Sequence, residues 1–210
     1  MLHNKEIEIQ KDQAQALIAS RVDIPEGYKL TSHLLQSHDE VPVFIFRYEK
    51  SNGKNTGLGG EHFSVSVDLG ATKIMGVMHV DETHCGEGLP NDDDAQDAAI
   101  QWLPKIAPEL VDQYEVKWIL SQKEEPEKIP HECPFPFKDD EGKEHLVTGV
   151  RVKLFFQELD SWGWVIVGRD GQIISFEREV IWNTTLSRRS TPAWLHDNYI
   201  QELMSDINRI

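Results

Sequence analysis

Cysteine and positive charge are scarce in this 210-residue chain. Two cysteines, Cys85 and Cys133, are too few for the disulfide framework of a small secreted domain, so we expect both to be free thiols. Basic residues number 21 against 36 acidic ones, which gives a formal net charge of -15. Because nucleic acids and anionic lipid surfaces attract basic faces, this balance argues against both partners and suits a cationic partner or a cation.

Long apolar runs and catalytic motifs are also missing from the sequence. No stretch approaches the ~18 apolar residues of a membrane-spanning helix. The N-terminus, residues 1–7, lacks the basic and apolar regions of a signal peptide, so we expect a cytoplasmic protein that does not bind membranes. Gly-x-Ser-x-Gly does not occur, and no nucleophile stands beside a recognisable base. The sequence therefore predicts no catalytic residues and no cofactor.

Apolar and aromatic residues are nevertheless numerous enough to build a core. Hydrophobic residues make up 39% of the chain, with six Trp and eight Phe. Apolar and polar residues alternate at 63–67 and 114–120, which is typical of half-buried strands. Apolar residues recur at helical spacing within 14–19 and 95–110. The mixture predicts an α+β fold.

The order of helix and strands occurs twice along the chain. Residues 12–77 run from an alanine-rich helix through strands to a hairpin, and residues 92–178 repeat that order. The offset between matching positions grows only within loops, which favours an internal duplication. We therefore expect a first repeat at 1–82 and a second repeat at 91–181. A C-terminal helical tail at 182–210 is expected to pack on the second repeat.

The start of the tail helix is predicted from local signals. Thr191 followed by Pro192 fits a helix N-cap and a first helical proline, so we expect a helix from about Ala193 to Asn208. Trp194, Leu195, Ile200 and Leu203 are expected to pack it onto the second repeat.

Each repeat resembles a PepSY-type module. The resemblance rests on the alanine-containing helix, the strands after it, and a hairpin of the form valine-x-valine-aspartate followed by glycine-x-isoleucine. Residues 65–74 and 165–173 carry that hairpin pattern. The resemblance implies two tandem cystatin-like units, each a helix packed on a curved antiparallel sheet. It also implies a binding or inhibitory protein rather than a catalyst.

The segment 79–87 is the best candidate for a metal site. It contains His79, Asp81, His84 and Cys85, and together with His131 and Cys133 it offers imidazole and thiolate ligands of the kind zinc prefers. The alternative is an acidic linker between the repeats with incidental histidines, because the adjacent pair at 84 and 85 does not match the spacing of known zinc sites.

Four other residues are candidates for contact with a ligand or partner. Arg188 and Arg189 form a basic pair that is able to grip a carboxylate or phosphate, or to bridge to the protein's own acidic groups. Trp162 and Trp164 lie in an alternating strand, where they are expected to be either core or an aromatic platform. The long polar insertion 122–143, with four prolines, has no predicted structure of its own and is a candidate functional loop.

We expect from these observations a non-enzymatic protein that docks a protein or peptide. The docking surface is expected on a sheet face or on the loop 122–143, and strand addition at a free sheet edge is one mode. The alternative is a metal-dependent or small-ligand-binding protein, including an enzyme, that uses the 79–87 cluster or a cleft between the repeats. The sequence predicts neither the identity of the partner nor the oligomeric state.

Overall fold

The computed structural model describes residues 4–38, 40–120, 135–186 and 188–207. The described residues form an α+β fold, as the sequence predicts. The α-helices are α1 (Asn4–Arg21), α2 (Asp92–Ile106) and α3 (Asp197–Ile207). The strands are β1 (Tyr28–His38), β2 (Val41–Lys50), β3 (His62–Asp68), β4 (Ile74–Val80), β5 (Tyr114–Leu120), β6 (Phe135–Lys138), β7 (Glu144–Val147), β8 (Val150–Phe156), β9 (Ser161–Val167), β10 (Ile173–Val180), β11 (Trp182–Asn183) and β12 (Arg188–Arg189).

Eight strands form one antiparallel sheet in the order β1-β2-β3-β4-β10-β9-β8-β5. The first half of the chain contributes the meander β1 to β4, and the second half contributes β5, β8, β9 and β10 in mirrored order. The two halves meet where β4 pairs with β10. A helix precedes each half, α1 before β1 and α2 before β5. The cystatin-like character of each half, and the proposed boundaries between the repeats, stay predictions.

Several elements are longer or more ordered than the sequence patterns indicate. Helix α1 extends over 18 residues rather than 14–19 alone, because charged residues dilute the apolar period of its first half. The insertion 122–143 contains β6, which pairs with β7 to form a hairpin. Phe135 and Phe137 are buried while the residues between and after them are exposed, so the strand has the two-residue period of a half-buried sheet.

The sheet is covered on both faces. We call the side under α1 and α2 the helix face; its strands contribute buried apolar side chains that pack with residues of both helices. These buried residues include Ala14, Ile18, Phe44, Phe46, Val65, Val67, Ala99, Leu103, Val152, Leu154, Val165 and Phe176. We call the opposite side the tail face, where the β6–β7 hairpin and residues 189–199 lie. Its buried apolar residues include Val43, Ile45, Met75, Met78, Phe135, Phe137, Val147, Trp164, Ile166 and Leu195.

The C-terminal helix begins later than the sequence predicts. It starts at Asp197 rather than Ala193, and Thr191 does not cap it. The Thr191 hydroxyl instead accepts a hydrogen bond from the backbone N–H of Ile181, at 2.8 Å, which holds the β11–β12 turn closed. The segment before the helix contacts both halves of the sheet, because Asp197 bonds to Arg47 in β2 and His196 bonds to Glu177 in β10.

None of the helices within the described ranges combines the length and apolar character of a membrane-crossing helix.

Candidate functional site

The two histidines of the 79–87 cluster bond to each other. His79 lies near the end of β4, and His84 lies in the short 3-10 helix Glu82–His84 that follows. The Nδ1 atom of the His79 ring is 2.8 Å from Nε2 of His84. Burial lowers the pKa of His79 to about 3 and, by the same cause, lowers the pKa of His84. Both rings are therefore neutral at neutral pH, and each has one of its nitrogens engaged by the other.

Asp81 is occupied by the protein's own donors. Its carboxylate accepts hydrogen bonds from the Tyr28 hydroxyl at 2.6 Å and from the backbone N–H of Thr83 at 2.8 Å, and it lies 3.0 Å from the Lys50 ammonium. Burial raises the pKa of Asp81, but these bonds outweigh it and hold the pKa well below its ordinary value. The carboxylate therefore joins strand ends rather than facing an open site.

The metal hypothesis gains no support from the described part of the chain. There, no group of three or more His, Cys, Asp or Glu side chains is arranged to hold an ion. Cys85 is half-buried, and burial raises the pKa of its thiol, which disfavours the thiolate that zinc binds. His131 and Cys133 lie outside the described residues.

The basic pair and the tryptophans divide between interior and surface. Arg189 donates to Glu177 and lies 5.4 Å from the ring centroid of Trp164, which is fully buried on the tail face. Trp162 is half-buried, and the Lys153 ammonium lies 4.5 Å from its ring centroid. Arg188 is exposed beside Arg189 in β12. The structure therefore places Arg189 and Trp164 in packing contacts and leaves Arg188 at the surface.

A carboxylate from the tail lies in a cradle on the tail face. The Arg47 guanidinium donates two bonds to Asp197, at 2.7 and 3.1 Å, and the Gly59 N–H donates a third at 2.6 Å. The Nε2 atom of His62 lies 3.7 Å away. Burial raises the pKa of Asp197, but the interactions with His62, with Arg47 and with the Gly59 N–H together outweigh it and lower the pKa. Burial also lowers the pKa of His62 to about 4, so His62 is neutral at neutral pH.

A second buried ionic group lies beside this cradle. Glu177 accepts bonds from Arg189 and from Nε2 of His196, the latter at 3.0 Å. Burial raises the pKa of Glu177, but Arg189 and His196 outweigh it and lower the pKa to about 2. The residues before α3 are thus fixed to β2 and β10 by charge as well as by packing.

The tail face also contains a small cavity. Its volume is about 20 Å³, and its lining includes His62, Met78, Phe135 and Asp197. A space of this size holds about one water molecule. It is too small for an organic ligand, so it gives no support to a metabolite pocket.

The free edge of the sheet at β1 is the longest unpaired backbone in the described part of the molecule. Strand β1 has 11 residues, pairs with β2 on one side, and has no described strand on the other. The other edge strand, β5, has seven. An uncovered edge exposes a row of backbone donors and acceptors that is able to pair with another chain.

The register identifies which β1 residues direct their backbone outward. The N–H of Leu69 donates to the carbonyl of Pro42, so in β2 the backbone groups of Pro42 point toward β3. When two residues are directly opposite each other in an antiparallel pair, their backbone N–H and C=O groups point either toward the partner strand or away from it. The direction alternates from one residue to the next along the strand. Since Ser37 is opposite Pro42, Ser37 points outward, and so do Leu35 and His33. A bulge at Thr31 shifts the register, after which Leu30 points outward.

The side chains of β1 are unusually apolar for an exposed edge. Leu30, Leu34 and Leu35 are 37%, 52% and 41% exposed. Natural edge strands are commonly protected by charged residues or proline, whereas β1 carries one fully charged residue, Lys29, and no proline. The bulge at Thr31 is one form of edge protection that β1 does have.

The sequence indicates strand addition as a mode of binding but does not indicate which strand offers it. The signal was present in residues 28–38, because leucines stand among small polar residues with little charge. Residues 28–38 do not alternate strictly between apolar and polar, so the sequence does not show which side of the strand is exposed. Only the sheet order shows that β1 lies at an edge.

Comparison of the chain with protein-family models, with curated proteins and with solved structures finds no match.

Proposed function

We propose that this protein is a non-enzymatic binding protein that takes up an extended peptide segment by strand addition at the β1 edge. The observation that carries the proposal is the 11-residue, sparsely charged and exposed strand β1, whose outer side pairs with no described strand. A peptide laid along it forms backbone hydrogen bonds with the outward groups of Leu30, His33, Leu35 and Ser37, which supply affinity without a requirement for one sequence.

The side chains beside the edge define what the peptide has to carry. Leu30 and Leu35 are opposite Tyr48 and Phe44, so they lie on the helix face, and Leu34 is opposite Ile45 on the tail face. A bound strand places alternate side chains next to these leucines. Apolar residues at every second position therefore fit the edge better than a uniformly polar peptide does.

Net charge adds a second requirement. The chain has a formal charge of -15, which attracts cationic molecules and repels anionic ones at distances up to about the Debye length. We therefore propose a partner segment that is extended, β-prone and positively charged.

A synthetic peptide with these properties tests the proposal. The probe is an end-blocked peptide of alternating lysine and valine with the 11-residue length of β1. Binding is followed by fluorescence anisotropy and by the backbone amide shifts of residues 28–38. We expect saturable binding with shifts concentrated in β1, and weaker binding as salt is raised. A peptide of alternating glutamate and valine is expected not to bind.

A pair of variants at one position separates strand addition from other contacts. Leu35→Pro removes one outward N–H, a change that edge strands tolerate, whereas Leu35→Val keeps the N–H and shortens the side chain slightly. We expect Leu35→Pro to abolish binding and Leu35→Val to retain it, with both variants folded by circular dichroism. Equal binding by the two variants would show that the peptide does not pair with β1.

A further inference from the structure

We infer that the segment Trp194–Asp197, which we call the latch, is an autoinhibitory contact that covers one end of the β1 edge and has to move before a full-length peptide strand pairs there. This inference rests on the proposed function, since it concerns access to the same edge.

The latch occupies a backbone acceptor that a peptide would use. The indole N–H of Trp194 donates to the carbonyl oxygen of Ser37 at 2.7 Å. Ser37 is one of the residues whose backbone points away from β2, so the tryptophan bonds to the outer side of the edge. A peptide that ends opposite Leu35 leaves this bond intact, whereas one that extends past Ser37 competes with it.

Packing and charge fasten the latch to the tail face. The Cδ1 atom of Leu195 lies so close to Gly76 in β4 that a Cβ built on the glycine would stand 2.7 Å from it. The missing side chain of Gly76 therefore makes the hole that Leu195 fills. His196 and Asp197 then bond to Glu177 and Arg47.

The charges beneath the latch keep partners when it leaves. Arg47 also donates to Glu49 at 2.7 Å and to the Gly57 carbonyl at 2.7 Å, and Glu177 remains bonded to Arg189. Removal of one member of a buried ion pair is costly mainly because it orphans the other charge. Because Arg47 and Glu177 both keep a bonding partner, displacement of the latch does not leave an unpaired buried charge. The ionic contacts of the latch are therefore able to break and re-form.

The same lysine–valine peptide tests the inference on the whole chain. Trp194→Phe keeps an aromatic ring and removes the one N–H that bonds to Ser37. Because the peptide then no longer has to break a hydrogen bond, we expect it to bind about two- to tenfold more tightly than it binds the unaltered chain. Asp197→Asn loosens the fastening and is expected to tighten binding as well. Glu202→Gln removes a carboxylate from an exposed position of the same helix and is the matched control, expected to leave affinity unchanged.

The outcomes distinguish the latch from the edge. If the unaltered chain and Trp194→Phe bind the peptide with equal affinity, the latch inference is wrong and the proposed function stands. If neither binds, or if Leu35→Pro binds as well as Leu35→Val, the proposed function fails and the inference fails with it. Should Asp197→Asn unfold, the comparison of Trp194→Phe with the unaltered chain decides the matter alone.

Discussion

The helix face and the tail face of the sheet are buried by different chemistry. On the helix face, aliphatic and aromatic side chains from the strands meet the apolar sides of α1 and α2. On the tail face, apolar packing is interrupted by buried polar groups, among them His62, Glu177, His196 and Asp197. The helix face also contains the buried Arg178, which donates to Glu109, and His79, which packs on Phe63. The tail face depends on charge and protonation to a greater extent.

The difference indicates which layer of the molecule is able to respond to its surroundings. Apolar burial has little dependence on pH, so the apolar contacts of the helix face are expected to change little on acidification. The tail face contains groups whose pKa values differ from their ordinary values, and such groups couple stability to pH. A contact that has to open and close therefore belongs on the tail face, where the latch lies.

The largest expected effect comes from a substitution that creates a cavity on the helix face. Phe176 is fully buried in β10 and contacts Trp102 of α2, with ring centroids 5.6 Å apart. We expect Phe176→Ala to lower the free energy of unfolding by about 3–5 kcal/mol, because it loses buried area and leaves a void. Urea unfolding at pH 7 and pH 5 checks this, and the loss is expected to be the same at both. A loss that changes with pH would erase the distinction between the faces.

Acidification is expected to weaken the polar groups next. His62 and His79 have pKa values of about 4 and 3 in the folded protein, below the value of about 6.5 in an unfolded chain. Between these limits the unfolded chain binds protons that the folded chain does not. Stability is therefore full above about pH 6.5 and falls as the pH drops toward 4, by about 3 kcal/mol for each of these histidines.

Variants at one buried and one exposed histidine test this pH dependence. His79→Phe removes a buried ring nitrogen and is expected to flatten the fall in stability measured by urea unfolding between pH 7 and pH 4. His33→Gln alters an exposed histidine and is expected to leave the slope unchanged. An identical slope in all three proteins would mean that burial of His79 contributes nothing to the pH response.

A smaller effect is expected where the latch meets the sheet. Gly76→Ala places a Cβ near Leu195 and near the carbonyl oxygen of Phe176, at 2.7 and 3.0 Å. Overpacking of this kind costs about 1–3 kcal/mol. Leu195→Ala removes the clashing methyl groups, so we expect the double variant to be more stable than the sum of the two single changes predicts. Strict additivity in a double-mutant cycle would show that Leu195 does not fill the hole at Gly76.

The smallest effect is expected for an ion pair outside both faces. Lys105 of α2 bonds to Asp23, and both side chains are largely exposed. Exposed pairs contribute little because water screens them and two flexible side chains have to be ordered. Lys105→Gln is expected to leave the urea midpoint unchanged within error, in contrast to the buried groups of the tail face.

Much of the architecture could be predicted from the sequence because it depends on local periodicity. The alternation at Phe63, Val65 and Val67 predicts a half-buried strand, and β3 is a strand with those residues on the helix face. It is not half-buried, however, because Ser64 and Ser66 on its other side are buried as well. The sequence also predicts a final helix, but not its first residue. Thr191 has the chemistry of a cap, yet its hydroxyl bonds to Ile181 in a turn, and nothing local distinguishes the two uses.

The rest depends on contacts between distant residues. The cradle joins Arg47 to Asp197, which are 150 positions apart, and no spacing rule links them. The exposed edge was similarly hidden, because Leu34 and Leu35 appear in sequence like part of a core. Their exposure follows from the position of β1 in the sheet order, which is a property of the whole topology.

The mirrored strand order has a consequence for how the chain reaches this structure. Within each half, pairs join strands that follow one another along the chain, except that β5 and β8 flank the β6–β7 hairpin. The pairing of β4 with β10 spans both halves and has three residue pairs in register, from Ser175 opposite Met78 to Glu177 opposite Gly76. Loop closure between nearby strands costs less entropy than closure across the chain. We therefore expect the strands of each half to pair first, and β4 to pair with β10 late in folding. A kinetic φ-value near 1 at Val77 would contradict that order.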